Sequence, residues 1–247
     1  MIDTQNYTQG LETIPDRTKQ IICVMAEELW LKVEGYPMPD TFSDKEKRLY
    51  YQDNHLKYLQ SLAKTASNSI LYHKNYDITF LKAMVLQLPE ELWFSDTERQ
   101  KAYIVHRQTQ SIINTDVSIF YKSNDPFEPK ESNILPHYLK EYTNEIIKDL
   151  ERTFDGKVGK SSYVRLNAGC FIPEHSDNFE YLRMVHRFHI PIVTNPDVLF
   201  KVGEESVNMK EGECYEIDVS LLHSVWNNGD TPRVHLIVDI MPNELIK

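Results

Sequence analysis

Cysteine is scarce in this 247-residue sequence, and its three positions include no Cys-x-x-Cys pair: Cys23, Cys170 and Cys214. Zinc sites built from cysteine need closely spaced pairs, so this kind of site is excluded. An odd number of cysteines without such a pair suits the reducing cytoplasm. We therefore expect a cytoplasmic protein.

Positive charge is also in short supply. The sequence has 27 Lys and Arg residues against 37 Asp and Glu residues, which gives a formal net charge of −10. Proteins that grip nucleic acid through its phosphates carry an excess of basic residues, so we expect no nucleic-acid partner. The apolar share of 41% is ordinary for a protein with a real core.

Long apolar runs are absent as well. None approaches the ~20 residues that a membrane-spanning helix needs, so we expect no membrane partner. Residues 1–17 have neither a basic stretch nor an apolar stretch, and we expect no secretory signal there. These absences leave a soluble enzyme or binding protein.

Amphipathic patterns predict that residues 1–100 are mainly helical. One pattern follows a Pro-Asp start, and the next follows Ser43, which is a suitable N-cap. Their apolar residues recur close to a 3.6-residue period: Ile21, Ile22, Met25, Leu29 and Val33, then Leu49, Tyr50, Leu56, Leu59 and Leu62. Residues 77–88 fit either a short helix or a buried strand. A further strong pattern predicts a helix over residues 134–154.

The rest of the chain has a β-type sequence. Residues 103–121 are rich in Ile, Val, Thr and Tyr, which indicates one or two strands. From about Ser161, short β-type runs are separated by Gly, Pro, Asn and Asp: SYVRLNA, FIPEH, RFHIPIVT, DVLFKV, ESVNMK, ECYEID, HSVWN and RVHLIVDI. Such spacing predicts a sandwich or barrel, of which the jelly roll is the two-sheet form. The predicted class is α+β, with helical residues 1–100 packed on a core of residues 101–247.

A candidate metal site begins with His175 and Asp177. Residues two apart on an extended segment face the same side, so an imidazole and a carboxylate can converge on one ion. His223 on a distant predicted strand offers the third ligand. Two His and one carboxylate form the facial triad of non-haem Fe(II) oxygenases, which leaves positions open for reactants. A His-x-Asp pair alone has about an even chance of occurring in such a chain, and His223 fits a core or surface histidine equally well.

Arg233 strengthens this prediction, because it lies ten residues after His223 at the start of the run RVHLIVDI. The co-substrate 2-oxoglutarate chelates iron at one end and needs a cation for its far carboxylate. A buried arginine without an anion would be costly. Arg187 and His189 share one face of another predicted strand and are candidate donors near the iron-bound end of the ketoacid. The alternative is that they are exposed polar positions of an edge strand.

Two segments resemble the aspartyl/asparaginyl β-hydroxylase family of Fe(II)- and 2-oxoglutarate-dependent oxygenases, which includes bacterial hydroxylases of free amino acids such as proline. The segments are HSDNFEYLRMVHRFHIPI and HSVWNNGDTPRVHLIVD, and the resemblance extends over about residues 161–241. It implies a double-stranded β-helix core (jelly-roll, cupin-like), with Fe(II), 2-oxoglutarate and O₂ as cofactors. It also implies roles for residues of both segments: iron ligation by His175 and His223, and co-substrate binding by Arg233, Arg187 and His189.

Asp177 bears on the reaction that the resemblance implies. Animal peptidyl members of the family carry glycine at this position, whereas this sequence completes the triad. Related halogenases vacate the same position for chloride, so the carboxylate argues against halogenation. The resemblance therefore implies hydroxylation at an unactivated C–H, with release of succinate and CO₂.

The expected substrate is a free or carrier-bound amino acid. Alternatives are the hydroxylation of Asp or Asn residues in a protein, a cupin-like protein that binds metal and a dicarboxylate without turnover, and chemistry with another divalent ion. Arg107 and Trp226 are candidate substrate residues, although an exposed strand arginine and a core tryptophan are the commoner roles. Homo-oligomerisation through the N-terminal helices is a further expectation.

Overall fold

A computed structural model of the chain describes residues 69–246 other than 96, 98, 99, 102 and 178. It also describes a set of residues nearer the N-terminus: 23, 26, 27, 30, 31, 37–47, 49–51 and 54. The chain divides into two compact units, Met1–Thr65 and Ala66–Lys247. In the described part, no helix is both long and apolar enough to cross a membrane.

The described part of the first unit is largely helical. Residues 44–47 are helical and begin after Ser43, whose hydroxyl accepts a hydrogen bond from the backbone N–H of Glu46 at 3.3 Å. The Glu46 carboxylate accepts one from the Ser43 N–H at 2.8 Å. This reciprocal pair is a capping box and confirms Ser43 as an N-cap. Most of the predicted apolar stripe lies outside the described residues: Ile21, Ile22, Met25, Leu29, Val33, Leu56, Leu59 and Leu62.

The second unit combines helices with antiparallel sheets. Its helices are α1 (Thr79–Val85), α2 (His137–Thr153) and α3 (Glu180–Met184), with 3-10 turns at Glu90–Phe94, Ile104–His106 and Asn243–Leu245. Its strands are β1 (Ile70–Asn75), β2 (Thr109–Asp116), β3 (Lys130–Glu131), β4 (Gly156–Leu166), β5 (Phe171–His175), β6 (His186–Val193), β7 (Val198–Val202), β8 (Glu205–Val207), β9 (Glu213–Ile217), β10 (His223–Asn227) and β11 (Arg233–Pro242).

The strands form a seven-stranded sheet in the order β1-β9-β6-β11-β4-β2-β3 and a four-stranded sheet in the order β5-β10-β7-β8. The outer face of β11 is apolar and belongs to one buried cluster with residues of α2: Val234, Leu236, Val238 and Ile240 with Leu139, Ile146 and Leu150. The inner face carries the polar side chains of Arg233, His235 and Asp239, and the Arg233 guanidinium lies 5.8 Å from the ring of Phe200 in the smaller sheet. The side chains that pack in the core and the polar side chains therefore lie on opposite faces of β11.

Several predictions from the sequence are confirmed. All eight β-type runs from Ser161 onward contain a strand, from β4 to β11. The helix predicted over residues 134–154 is α2, and the ambiguous residues 77–88 contain α1. The mixed helix and antiparallel sheet architecture agrees with the predicted α+β class.

One prediction was wrong in part, and another left out a strand. Residues 103–121 do not form strands throughout, because a 3-10 turn occupies Ile104–His106 and β2 begins only at Thr109. The hydroxyl of Thr109 donates to the carbonyl of His106 at 2.8 Å, which closes the turn before the strand. The mainly helical segment predicted over residues 1–100 contains β1, which pairs with β9 at the edge of the larger sheet.

Candidate active site

His175 and His223 lie side by side at the ends of β5 and β10. The two residues are paired in the register of these strands, and their ring centroids are 4.2 Å apart. Each ring donates its Nδ1 proton to a backbone carbonyl two residues earlier, that of Pro173 at 2.8 Å and that of Leu221 at 2.9 Å. In a neutral ring, this contact fixes the tautomer with the proton on Nδ1, so Nε2 is the nitrogen that each ring would offer to a metal.

Burial, reinforced by the neighbouring His175 ring, lowers the pKa of His223 to about 4. The ring is therefore neutral at pH 7, which is the state that binds a metal ion. Asp177 supplies the anionic donor, with its Oδ1 atom 3.9 Å from Nε2 of His175. Burial would raise the pKa of this carboxyl, but the rings of His175 and His223 and the Arg187 guanidinium hold it well below its usual range.

Arg187 connects Asp177 to the interior. Its Nη1 donates to Asp177 at 3.0 Å, while Nε and Nη2 donate to the two oxygens of Asp239 at 2.7 and 2.8 Å. Asp239 is fully buried on the inner face of β11. The carboxylates keep the pKa of Arg187 above its usual value despite its burial. The sequence assigned Arg187 to the co-substrate; in this structure its donors face two carboxylates.

Arg233 lies deeper between the sheets and is 1% exposed. Its Nη2 donates to Nδ1 of His235 at 2.6 Å, and its guanidinium lies 5.8 Å from the ring centroid of Phe200. The ring of His189 lies 5.2 Å from that of Phe200 and 5.7 Å from that of His235. Arg233 and His189, both singled out in the sequence, therefore belong to one buried cluster of side chains with His235 and Phe200, which we refer to as the Arg233 pocket.

His235 is the polar group in this pocket that sequence reasoning did not single out. Burial and the neighbouring Arg233 hold its pKa well below the usual histidine value, so the ring is neutral. Because Nδ1 accepts from Arg233, the ring proton lies on Nε2. That atom is buried and has no hydrogen-bond partner among the residues that the structure describes. A buried donor without an acceptor costs about 1–3 kcal/mol, so the pocket fits an anionic ligand such as a carboxylate.

His106 is the other residue that the sequence did not assign to the metal. One ring nitrogen of His106 and ligand atoms of His175 and Asp177 all lie within 4.8 Å of one another. Its position in the sequence does not have the spacing typical of a metal ligand. We predicted a strand for these residues, so the 3-10 turn that contains His106 was not expected. Its proximity to β5 arises only from the tertiary fold.

The two candidate substrate residues have different surroundings. Arg107 is exposed in the turn between the Ile104–His106 3-10 turn and β2, rather than in a strand. Alternation along β10 puts Trp226 on the face opposite His223. Their contact with a substrate stays a prediction.

Residues 117–242 match the family model described as aspartyl/asparaginyl beta-hydroxylase, which is just over half of the chain. The chain belongs to the aspartyl/asparaginyl β-hydroxylase family. It is thus a member of the 2-oxoglutarate-dependent oxygenases, whose cofactors are iron, 2-oxoglutarate and O₂. The matched residues include the predicted metal and co-substrate residues, whereas His106 and Arg107 precede them.

A curated relative is the L-proline cis-4-hydroxylase of Rhizobium meliloti (strain 1021), which is 31% identical over 99 residues. The match covers 40% of this chain and 34% of the relative, so the chain matches about a third of that protein's length.

Among solved structures, an oxidoreductase of the 2OG-Fe(II) oxygenase family from Burkholderia pseudomallei is 13% identical, with a TM-score of 0.49 and coverage of 75% of this chain and 89% of that one. The viral collagen prolyl hydroxylase of Paramecium Bursaria Chlorella virus-1 is 8% identical, with a TM-score of 0.44 and coverage of 71% and 97%.

Proposed function

We propose that this protein hydroxylates an unactivated C–H of a free or carrier-bound amino acid, using Fe(II), 2-oxoglutarate and O₂ and releasing succinate and CO₂. The observation that carries the proposal is that His175 lies beside both His223, with ring centroids 4.2 Å apart, and Asp177, with Nε2 3.9 Å from Oδ1, in a unit that also buries Arg233. A small amino acid as substrate is supported by the name of the Rhizobium relative. The fold proposed with this function is a double-stranded β-helix made by the two antiparallel sheets.

The donor set fits Fe(II), because two neutral imidazoles and one carboxylate are the ligands of the oxygenase triad. When bound, the iron supplies the oxidising power that amino-acid side chains lack. Arg187 would keep the Asp177 carboxylate turned toward the ion through its Nη1 contact. Because Arg187 is itself clamped by Asp239, Asp177 is oriented before any ligand arrives.

The co-substrate pocket fits a dicarboxylate. Arg233 presents a guanidinium, which is matched in shape and charge to a carboxylate, and Nε2–H of His235 adds a neutral donor. The buried Phe200 ring, 5.8 Å from the Arg233 guanidinium, gives these groups an apolar neighbour, and hydrogen bonds in such low-dielectric surroundings are stronger than in water. His189, on the strand next to β11, would approach the part of 2-oxoglutarate nearer the metal.

The proposal is tested by spectroscopy of the intact protein under anaerobic conditions. Adding Fe(II) and 2-oxoglutarate should give a weak visible charge-transfer band, and His175→Ala should abolish it. The matched control is His137→Ala, because His137 is an exposed histidine on α2, away from this group. Absence of the band in the intact protein would rule out the proposed function.

The substrate class is tested by a turnover screen. Free amino acids are expected to stimulate succinate formation and to yield a product heavier by one oxygen atom. Stimulation by Asp- or Asn-containing peptides alone would indicate a protein hydroxylase instead. A charge-transfer band without turnover of any amino acid or peptide would indicate a binding protein.

A further inference from the structure

We propose that Tyr103, Phe120 and Phe179 form an aromatic wall beside the candidate site and that this wall selects an amino acid with an aliphatic side chain. The inference rests on the proposed function, since it names the side-chain class and the specificity-determining residues of the same site. It narrows the substrate from amino acids in general to those whose side chain is apolar.

The wall is connected to the site by a row of ring contacts. The ring of His106 stands edge-on to that of His175, with centroids 5.3 Å apart. Tyr103 contacts the rings of His106 and Phe179, each at a centroid distance of 6.2 Å. The ring of Phe120 follows, 5.7 Å from that of Phe179. The row therefore leads from His175 to Phe120 without a gap.

The same row passes from the interior to the surface. His106 is 7% exposed, Tyr103 and Phe179 are half-buried, and Phe120 is 46% exposed. Aromatic rings that serve only a core are buried, whereas contiguous rings that stay partly open beside a site offer apolar area to a ligand. A molecule that arrives from solvent can therefore contact the wall.

Hydrogen bonds hold two parts of the wall together. Phe179 is the N-cap of α3 and follows Asp177 by two residues. Phe120 lies in the loop between β2 and β3, and the N–H of Ser123 in this loop donates to the carboxylate of Glu180 in α3 at 3.2 Å. The loop and the helix are thus joined before any ligand binds. A preformed surface of this kind binds without a large cost in ordering.

The chemistry of the wall favours aliphatic groups. Neighbouring rings of Tyr103 with His106, Tyr103 with Phe179 and Phe120 with Phe179 meet at angles of 74° to 87°, so each pair makes a corner rather than a flat stack. Aliphatic groups gain free energy when they leave water for aromatic carbon, whereas a carboxylate or amide loses hydrogen bonds to water there. An aliphatic side chain also brings unactivated C–H bonds to the proposed site.

Matched amino acids test the selectivity. Leucine, asparagine and aspartate have side chains of nearly the same size and differ mainly in polarity. Proline and norvaline serve as further aliphatic probes, and lysine serves as a cationic probe because aromatic faces also attract cations. Each is titrated calorimetrically into the full chain loaded anaerobically with Fe(II) and 2-oxoglutarate. We expect at least one aliphatic probe to bind about tenfold or more tightly than asparagine, aspartate and lysine.

Alanine variants test the wall residues themselves. We expect Phe179→Ala and Phe120→Ala to weaken binding of the preferred aliphatic probe about tenfold, because each removes apolar contact area. The affinity for 2-oxoglutarate, measured on the same samples, reports whether the rest of the site is intact. Phe80→Ala is the matched control, since Phe80 is an exposed phenylalanine on α1. We expect it to bind the probe as the intact protein does.

Tighter binding of asparagine, aspartate or lysine than of any aliphatic probe would overturn the wall while leaving hydroxylation of an amino acid in place. Equal probe affinities in Phe120→Ala and the Phe80→Ala control would also overturn it. Because Phe120 is substantially exposed, this comparison remains decisive if Phe179→Ala does not fold. A sample that shows the charge-transfer band but binds no probe would overturn this inference, whereas absence of the band would overturn the proposed function.

Discussion

The carboxylate of Asp177 is fixed by charged contacts that lead into the protein interior. The backbone N–H of Asp177 donates to the carbonyl of Val219 at 2.8 Å, and the Asp177 side chain accepts a hydrogen bond from Arg187. Arg187 is in turn held by both oxygens of Asp239, which is fully buried. Partners behind a metal ligand set its orientation, so we expect Asp239 to act on the proposed metal site through Arg187.

Asp239→Asn tests this chain of contacts. An amide offers one acceptor oxygen instead of two and carries no charge. Arg187 therefore loses one of its two hydrogen bonds to residue 239, and Asp177 is no longer held in a fixed orientation. We expect the free energy of unfolding to fall by about 3–5 kcal/mol, as for a broken buried pair. Co(II) affinity should fall about ten- to a hundredfold in calorimetric titration. The exposed Asp230→Asn serves as the control, and unchanged Co(II) affinity in Asp239→Asn would contradict the role.

Some of these residues could be read from the sequence and others could not. Strand alternation and the chemistry of the triad explain the spacings of four of them: His175, Asp177, His223 and Arg233. The pairing of Arg187 with Asp239 joins two strands that are distant in the sequence, so it depends on a register that local patterns do not specify. His106 was missed for the same reason, since its contact with β5 is made only by folding.

At the scale of elements, the start of β9 depends on Gly212. This residue has φ of +81°, a conformation that residues with a Cβ rarely adopt. Its N–H donates to the carbonyl of Pro191 and its carbonyl accepts from the N–H of Tyr76, both at 2.9 Å. A Cβ there would lie 2.5 Å from Oδ1 of Asn75 and from the carbonyl oxygen of Tyr76. The turn thus joins the ends of β1 and β6 to the start of β9.

Gly212→Ala is expected to destabilise the protein in two ways. The left-handed backbone costs about 1–2 kcal/mol for a residue with a Cβ, and the clash adds about 1–3 kcal/mol. Gly203→Ala is the matched control, because Gly203 has φ of +56° but nothing within 4 Å of an added Cβ. Denaturant unfolding should therefore show a larger loss for Gly212→Ala. Equal losses in the two variants would show that close packing at Gly212 has no effect.

Prediction of the elements themselves succeeded where the pattern is local and failed where the partner is distant. The strands after Ser161 alternate with turn residues, and α2 has a long, regular apolar period. By contrast, β1 is largely exposed along its length, and its pairing with β9 spans well over a hundred residues. Nothing in residues 70–75 alone favours a strand over the predicted helical segment.

At the scale of the whole molecule, every proposed ligand lies in the unit Ala66–Lys247. Binding at this site should therefore stabilise the folded state of that unit. At a ligand concentration about a hundred times the dissociation constant, the gain is about 2.7 kcal/mol. For a protein of this size that corresponds to a rise in Tm of roughly 5–10 °C.

We expect Mn(II) to raise the Tm in a thermal scan, and 2-oxoglutarate to raise it further. Arg233→Lys should keep the first increment and lose most of the second, because a lysine cannot reproduce the planar contact with a carboxylate. A second increment of the same size in Arg233→Lys would show that Arg233 does not hold the co-substrate.

The division of β11 into an apolar outer face and a polar inner face has a consequence for misfolded chains. A slip of one residue in strand register exchanges the two faces. Arg233, His235 and Asp239 would then point into the helix-covered core, and aliphatic side chains would fill the pocket. Such a chain would neither hold the co-substrate nor orient Asp177, so the correct register of this one strand is a condition both for the packed core and for the proposed site.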